Sequence, residues 1–380
     1  MPRRVGTDGM SGQTWSPPFP WFGGKSRASN LIWERFGDVE QYIEPFFGSG
    51  AVLFKRPTTP RYEVINDADG FVANFWRAVK SDPDEVARWA VWPCSEVDLL
   101  ARHRWLCEVT RKRDFLESMK CDPEYYDARI AGYWCWGLCY WIGGGGWCSG
   151  WWDGEKRENV KPVGSKIPSQ RRGAGVGVTK TEKAISNRKP LVTDKSIHEK
   201  RPAIRKGAGV SGRPKNRAAC WNVRPHLTGE QGIARRSESS DWFDDNDTLG
   251  YLRAIAERLR RVKIVCGDWA RVCTRGVTSS FRSHGILLDP PYSPEVGRDP
   301  DIYRCEWTPE MRDDLVTWCL EHERDYRIAL CGLEGEYNLH GWEIVEWNAA
   351  NGYGKNGNRK RERIWFSPRC LKARQLGLFE

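Results

Sequence analysis

Short apolar segments alternate with helical stripes along the chain, and this alternation constrains the fold more than any other feature of the sequence. Early in the chain, residues 42–44 and 62–65 have the length and composition of strands, and residues 70–80 have those of a helix. Five more strand candidates follow later, at 262–266, 285–288, 327–331, 344–347 and 363–366. Such alternation predicts an α/β fold with a doubly wound, mostly parallel sheet.

Two longer stretches have the apolar spacing of helices. One covers residues 85–106, and the other is a stripe formed by Leu249, Leu252, Ile255, Ala256 and Leu259. A third stretch, residues 131–152, carries no charge and is long enough to span a bilayer. Its seven glycines and many aromatic residues are untypical of a membrane span, so we predict a buried aromatic segment.

The positive charge of the chain is concentrated in one internal segment, residues 156–240. This segment has 21 Lys and Arg against 6 Asp and Glu, whereas the whole chain carries a net charge of +10. It has one aromatic residue, Trp221, and is rich in Gly, Pro and Ser, so it cannot bury much apolar area. We predict a flexible arm on the phosphate backbone of a nucleic acid, because phosphate contacts require only charge and reach.

A glycine turn, Glu44-Pro45-Phe46-Phe47-Gly48-Ser49-Gly50, follows the first strand candidate directly. Glycines at this place let the backbone turn tightly and approach a ligand at the carboxyl end of the strand. Asp67 ends the next strand candidate, and an acid at that place holds ribose hydroxyls in doubly wound nucleotide-binding folds. Together these features indicate a nucleotide-like ligand.

A second chemical motif, Asp289-Pro290-Pro291-Tyr292, follows the strand candidate at 285–288. Two prolines can simply end a strand. In a functional interpretation, Asp289 and the Pro290 carbonyl accept hydrogen bonds from an exocyclic amino group and free its lone pair for attack on a methyl group. The proline rings hold both acceptors rigid, and Tyr292 stacks on the base.

With both motifs in this order, the chain resembles the S-adenosylmethionine-dependent DNA adenine methyltransferases of the Dam-like type. The likeness extends to Pro20-Trp21-Phe22-Gly23-Gly24-Lys25, to Cys266-Gly267-Asp268-Trp269 and to the segment from Asn358 to Phe366. It implies a Rossmann-like methyltransferase sheet, base flipping and double-stranded DNA as partner. Its implied catalytic residues are Asp289, Pro290, Pro291 and Tyr292.

The same resemblance implies which residues bind S-adenosyl-L-methionine. Trp21 and Lys25 would line the pocket, Asp67 would hold the ribose, and Asp268 the adenine. The methionine end would be wrapped by Glu44, Phe46, Gly48, Ser49 and Gly50. No metal is expected, because the spacing of Cys135, Cys139 and Cys148 matches no common zinc pattern.

The resemblance also suggests a division of the chain. Residues 17–110 and 245–368 form the predicted catalytic domain, and residues 111–244 an insertion with the target-recognition region. Residues 1–16 and 369–380 are predicted tails. The second tail contains Gln375-Leu376-Gly377-Leu378-Phe379, which resembles the peptide by which bacterial DNA enzymes dock on the sliding clamp through Gln375, Leu376, Leu378 and Phe379.

Two other functions fit the same motifs. Related motifs serve enzymes that methylate RNA adenine or a protein glutamine amide, and a non-catalytic DNA-binding protein could retain the fold. The intact Asp67 and Asp289 argue against the latter. Thirteen scattered cysteines without a Cys-x-x-Cys pair favour a reducing compartment, so we expect a cytoplasmic protein, bacterial or phage-encoded.

Overall fold

The computed structural model describes residues 17–19, 21, 23–58, 61–92, 95–112, 114–140, 147–148, 245–278, 281–293, 307–347 and 360–372. The predicted basic arm at 156–240, the tail at 1–16 and the predicted clamp peptide at 375–379 lie outside these residues.

One mixed sheet of seven strands forms the centre of the described chain, in the order β3-β2-β1-β4-β5-β7-β6. The strands are β1 (Gln41–Glu44), β2 (Tyr62–Asp67), β3 (Val262–Cys266), β4 (His284–Leu288), β5 (Arg327–Leu333), β6 (Glu343–Glu346) and β7 (Glu362–Phe366). All seven strand predictions are confirmed, with small differences at the ends.

The first five strands pair in parallel, whereas β7 runs antiparallel to both β5 and β6. Strand order reverses between β1 and β4, which are neighbours in the sheet although more than 230 residues of chain separate Gln41 from its partner His284. The predicted doubly wound α/β fold is thereby confirmed. In such sheets ligands bind at the carboxyl ends of the strands where the order reverses.

Nine described helices surround the sheet. They are α1 (Ser29–Phe36), α2 (Gly70–Ser81), α3 (Pro83–Ala90), α4 (Glu96–Lys112), α5 (Phe115–Cys121), α6 (Ala128–Tyr140), α7 (Asp245–Leu259), α8 (Arg275–Thr278) and α9 (Pro309–His322). Asp69 caps α2 by accepting from the Phe71 N–H, and Thr308 caps α9 in the same way through the Met311 N–H. These caps fix the first turn of both helices.

The predicted helical stretch at 85–106 is two helices, because α3 ends at Ala90 and α4 begins at Glu96. The sequence between them contains Pro93, which lacks an N–H and disfavours helical backbone in the residue before it. A helix therefore cannot continue through this point, although the apolar spacing on either side is helical.

Aromatic side chains fill the core where α2 packs on the sheet and α6 packs on α2. Trp76 on α2 and Trp134 and Trp136 on α6 are buried, and Phe71 stacks on Trp134 with ring centroids 6.2 Å apart. The described part of the predicted buried aromatic segment is therefore buried as expected. No helix among the described residues is long and apolar enough to cross a membrane.

A buried charge network ties the helix that follows the insertion to the sheet. The Glu63 carboxylate on β2 accepts hydrogen bonds from Arg258 on α7 at 2.5 and 2.9 Å and from Arg56 at 3.2 Å. The side chains of Glu63 and Arg56 are 3% and 1% exposed. Because all three charges are paired, α7 has a fixed place beside β2.

Candidate active site

The turns after β1 and β4 lie side by side at the carboxyl edge of the sheet. Because Ile43 pairs with Ile286 in parallel register, the residues that follow each strand leave the sheet at the same edge. This register brings the glycine turn that begins at Pro45 and the segment that begins at Asp289 to neighbouring positions. The two motifs therefore meet although they are far apart in sequence.

Left-handed backbone at two glycines shapes the first turn. Gly48 has a φ of 51° and Gly50 a φ of 73°, which side chains rarely tolerate. A Cβ on Gly48 would lie 2.4 Å from Nε1 of Trp21, so the indole rests directly on the glycine backbone. Trp76 supports the turn from below, since its Nε1 donates to the Gly48 carbonyl at 2.9 Å.

Asp67 fixes the same turn from the end of β2. One carboxylate oxygen accepts from the Gly48 N–H at 2.9 Å, and the other accepts from the Asp69 N–H at 2.8 Å. Burial and the nearby charge of Asp69 raise the pKa of Asp67 to about 7, although the two backbone hydrogen bonds oppose this rise. The residue as a whole is half-buried.

Asn66 connects the turns that follow β1 and β3. Its Nδ2 donates to the Pro45 carbonyl at 2.9 Å and to the Gly267 carbonyl at 3.0 Å. Gly267 has a φ of 138° and leads directly to Asp268. One buried amide therefore holds the glycine turn and the Asp268 turn in register with each other.

Asp268 lines a cavity of about 310 Å³ between the turn after β3 and helix α9. The carboxylate also accepts from the Ala270 N–H at 2.8 Å. Trp269 forms part of the wall, with its ring 6.1 Å from that of Trp318 on α9. The remaining lining residues are Ala270, Met311, Asp314, Thr317 and Glu321. The cavity combines an aromatic wall with carboxylate acceptors.

Lys25 forms the polar centre of the second turn. Its ammonium nitrogen lies 2.7 Å from one carboxylate oxygen of Asp289 and 2.8 Å from the other. The same nitrogen donates to the Tyr292 hydroxyl at 3.0 Å and to the Gly23 carbonyl at 2.8 Å. Tyr292 in turn donates its hydroxyl proton to Glu362 on β7 at 2.7 Å.

The charges in this cluster depend on one another. Burial raises the pKa of Asp289, while the charge of Lys25 and its hydrogen bond oppose that rise. Burial acts to lower the pKa of Lys25, but Asp289 and Glu362 outweigh it and hold that pKa above its ordinary value. Burial also raises the pKa of Tyr292 well above its ordinary value, so the phenol keeps its proton.

The other predicted site residues lie around these two turns. Glu44 is buried, accepts from the Tyr42 hydroxyl at 2.8 Å, and has a pKa well above its ordinary value because of burial. Phe46 packs edge-on against Trp307, with ring centroids 5.5 Å apart. Of the remaining predicted residues, Ser49 and Pro290 are buried, and Pro291 is half-buried.

Two features of the cluster were not predicted from the sequence. Lys25 was predicted to line the cofactor pocket, and the structure places its ammonium on Asp289. The sequence predicted no role for Glu362, although this residue lies in the segment from Asn358 to Phe366 that contributes to the resemblance. Glu362 is an acid at the start of a strand that pairs with β5, and this position could have indicated a role for it. The pairing of β7 with β5 is known only once the order of strands in the sheet is known.

The fold and the juxtaposed turns define the class of the protein. A seven-stranded α/β sheet with an antiparallel seventh strand, a glycine turn after β1 and an acid at the end of β2 is the framework of Rossmann-like methyltransferases. No group of three or more His, Cys, Asp or Glu suited to a metal ion occurs in the described part of the chain.

Residues 21–161 match the family model of the D12 class N6 adenine-specific DNA methyltransferases. This match confirms the resemblance: the chain carries a domain of that class, and the protein is an enzyme that methylates adenine in DNA. The matched residues include the glycine turn and Asp67, whereas Asp289 lies beyond them. A comparison with curated proteins gives no match.

Proposed function

We propose that the two turns form one active site, in which S-adenosyl-L-methionine lies along the glycine turn and the target adenine enters beside Asp289. The donor class follows from the family, whose members use this cofactor. Three local features fit it. Gly48 leaves room for Trp21 on the turn, Asp67 offers a carboxylate to ribose hydroxyls, and Asp268 faces a cavity with an aromatic wall.

When bound, S-adenosylmethionine supplies an electrophilic methyl group on a sulfonium sulfur. In this proposal Trp21, which rests on the Gly48 backbone, lines the pocket beside the cofactor. Phe46, Ser49 and Gly50 shape the part of the turn that faces the methionine end. Glu44 supports the turn from beneath, because its carboxylate is buried and bonded to Tyr42.

Asp289 and the Pro290 carbonyl bind the amino group of the target adenine. Each accepts one N–H, which leaves the nitrogen lone pair directed at the methyl carbon. The methyl group would pass to this nitrogen, the sulfur would keep the electron pair of the carbon–sulfur bond, and the surplus proton would leave through the Asp289 carboxylate that accepts that N–H. Pro291 keeps the loop rigid, and the half-buried ring of Tyr292 stacks on the base.

The adenine must leave the duplex to reach this position, because its amino group is stacked and paired in double-stranded DNA. We propose that the insertion at 111–244 carries target recognition and that its basic segment at 156–240 binds the phosphate backbone. The 21 basic residues of that segment support this role. DNA affinity should then fall steeply as salt concentration rises. Residues 17–110 and 245–368 would form the catalytic domain, working in the cytoplasm of a bacterial cell.

The observation that carries the proposal is the parallel pairing of β1 with β4, which puts the glycine turn beside Asp289. The test compares the wild type with Asp289→Asn, which keeps the shape but removes the charge. Asp313→Asn on α9 serves as the matched control, since that side chain is 68% exposed. Single-molecule sequencing of DNA from expressing cells should find methylated adenine with the wild type and the control, and none with Asp289→Asn.

A labelled-methyl assay with purified protein completes the test. DNA, RNA and a mixed protein fraction are offered separately with the labelled cofactor. We expect label in the adenine of DNA. Undiminished transfer by Asp289→Asn would contradict the assignment of the catalytic residue, and label confined to RNA or protein would contradict the proposed substrate.

A further inference from the structure

Glu362 is a buried acid within the Asp289 cluster that has no role in the mechanism above. It is the first residue of β7, and its pairing with Leu333 places it at the same edge of the sheet as Asp289. Glu362 is 7% exposed, and its Oε2 accepts a hydrogen bond from the Tyr292 hydroxyl, with 2.7 Å between the two oxygens. A buried carboxylate is costly to maintain unless it has a partner, and Tyr292 is that partner.

Tyr292 has one proton to donate, and both Glu362 and the Lys25–Asp289 pair lie next to its hydroxyl. Its hydroxyl oxygen lies 3.0 Å from the Lys25 nitrogen, which is itself 2.7 and 2.8 Å from the two oxygens of Asp289. Lys25 therefore holds the Tyr292 hydroxyl close to the Asp289 carboxylate. The hydroxyl can donate to only one carboxylate at a time, and with Glu362 present it donates there.

We infer that Glu362 is a positioning residue for methyl transfer: it accepts the phenolic proton of Tyr292 and so keeps the lone pairs of Asp289 available to the target amino group. A carboxylate has about four lone-pair sites. Lys25 already occupies one of them, by its hydrogen bond to Asp289 at 2.8 Å. If Tyr292 also donated to Asp289, fewer sites would remain for the base.

The same bond fixes the ring that stacks on the base. Lys25 and Glu362 hold the Tyr292 hydroxyl from two sides, which restricts the ring to one orientation. Without Glu362 the ring would turn with its hydroxyl toward Asp289. Both effects act through Tyr292, so the inference predicts that Glu362 matters only while the Tyr292 hydroxyl is present.

The test is a double-mutant cycle on the full-length protein. It uses Glu362→Gln, Tyr292→Phe and the double variant, with single-turnover methyl transfer measured at saturating cofactor and DNA. Glu346→Gln on β6 is the matched control, because that acid is 78% exposed and pairs with Arg363. Melting temperature and cofactor affinity are measured for every variant.

We expect Glu362→Gln to slow transfer roughly 10-fold or more in the presence of Tyr292, the range for a hydrogen bond to a charged group. In the Tyr292→Phe background the same change should alter the rate less than about 2-fold, because no phenolic proton remains to be redirected. Cofactor affinity should stay unchanged. The control should match the wild type.

Equal slowing by Glu362→Gln in both backgrounds would overturn the inference, as would no slowing in either. The inference rests on the proposed function, and the two failures are distinguishable. If the wild type transfers no methyl group to DNA, the proposed function fails. If the wild type is active and the cycle is additive, only the role of Glu362 fails.

Discussion

Replacement of Lys25 by Met should destabilise the protein and shift the pH dependence of its activity. Lys25 is 3% exposed and pairs with an Asp289 side chain that is 20% exposed. Loss of one partner of a buried pair costs about 3–5 kcal/mol, because the other charge is left uncompensated. We expect about 3 kcal/mol at pH 8, near the lower end of that range, because Asp289 retains some contact with solvent.

The pH dependence follows from the direction of the pKa shifts. Burial raises the pKa of Asp289, and Lys25 opposes that rise, so without Lys25 the pKa of Asp289 rises further. An acid with a raised pKa in the folded state binds more protons there than in the unfolded chain. The variant should therefore regain stability as the pH falls from 8 to 5, and the acidic limb of its rate profile should move to higher pH.

Urea unfolding at pH 8 and pH 5 measures the stability change, and single-turnover methyl transfer from pH 6 to 9 measures the shift of the limb. Lys80→Met is the matched control, since that half-buried ammonium donates to the Val262 carbonyl at 2.8 Å. A rate profile with an unmoved acidic limb would refute the reasoning. A stability loss that equals that of the control at both pH values would also refute it.

Three further predictions concern other parts of the chain. Because the pKa of Asp67 is raised to about 7, the wild type should gain stability as the pH falls from 8 to 5, whereas Asp67→Asn should lack this gain. The urea midpoint of the wild type should therefore exceed that of the variant by more at pH 5 than at pH 8. Glu63→Ala removes the carboxylate partner of Arg258 and the nearer carboxylate partner of the buried Arg56. It should lower the free energy of unfolding by roughly 3 kcal/mol, whereas Glu63→Gln should lower it less. A chain that ends at Arg374 should lose pull-down by a bacterial sliding clamp but keep methyl transfer, and unchanged clamp binding would remove the predicted docking peptide.

The sheet was predictable because each strand is a short apolar run with a turn or a helix after it. The segment at 285–288 is followed at once by Asp-Pro-Pro, which marks the end of the strand. Helix α9 was not predicted. It presents few apolar residues to the core, with Leu315 and Cys319 buried, so its sequence has only a weak helical stripe.

The positions of the motifs were also predictable, but their contacts were not. Neighbouring strand ends imply that Gly48 and Asp289 approach each other once the strand order is known. Nothing in local sequence indicates that Lys25 reaches Asp289 across 264 residues or that Glu362 reaches Tyr292 across 70. Such bonds depend on side-chain direction and sheet register, which the pattern of apolar residues does not specify.

The segment before α1 belongs to the chemistry although it lies outside the strand and helix framework. Lys25 is held there by its neighbours: Ser29 donates to the Ser26 carbonyl at 2.9 Å, and Lys55 donates to the same carbonyl at 2.7 Å. Lys55 lies in the short 3-10 helix that follows the glycine turn. Lys25, the counter-ion of Asp289, is therefore connected to the segment after the glycine turn through the hydrogen bond between Lys55 and Ser26.

This link predicts that Lys55→Met changes the chemical step and not only cofactor affinity. Without its bond from Lys55, the Ser26 carbonyl should move, and Lys25 with it, so Asp289 should lose part of its compensation. The acidic limb of the rate profile should then shift in the same direction as for Lys25→Met, but by less, because the ammonium of Lys25 remains nearby. An altered cofactor affinity with an unchanged limb would show that the two turns act independently.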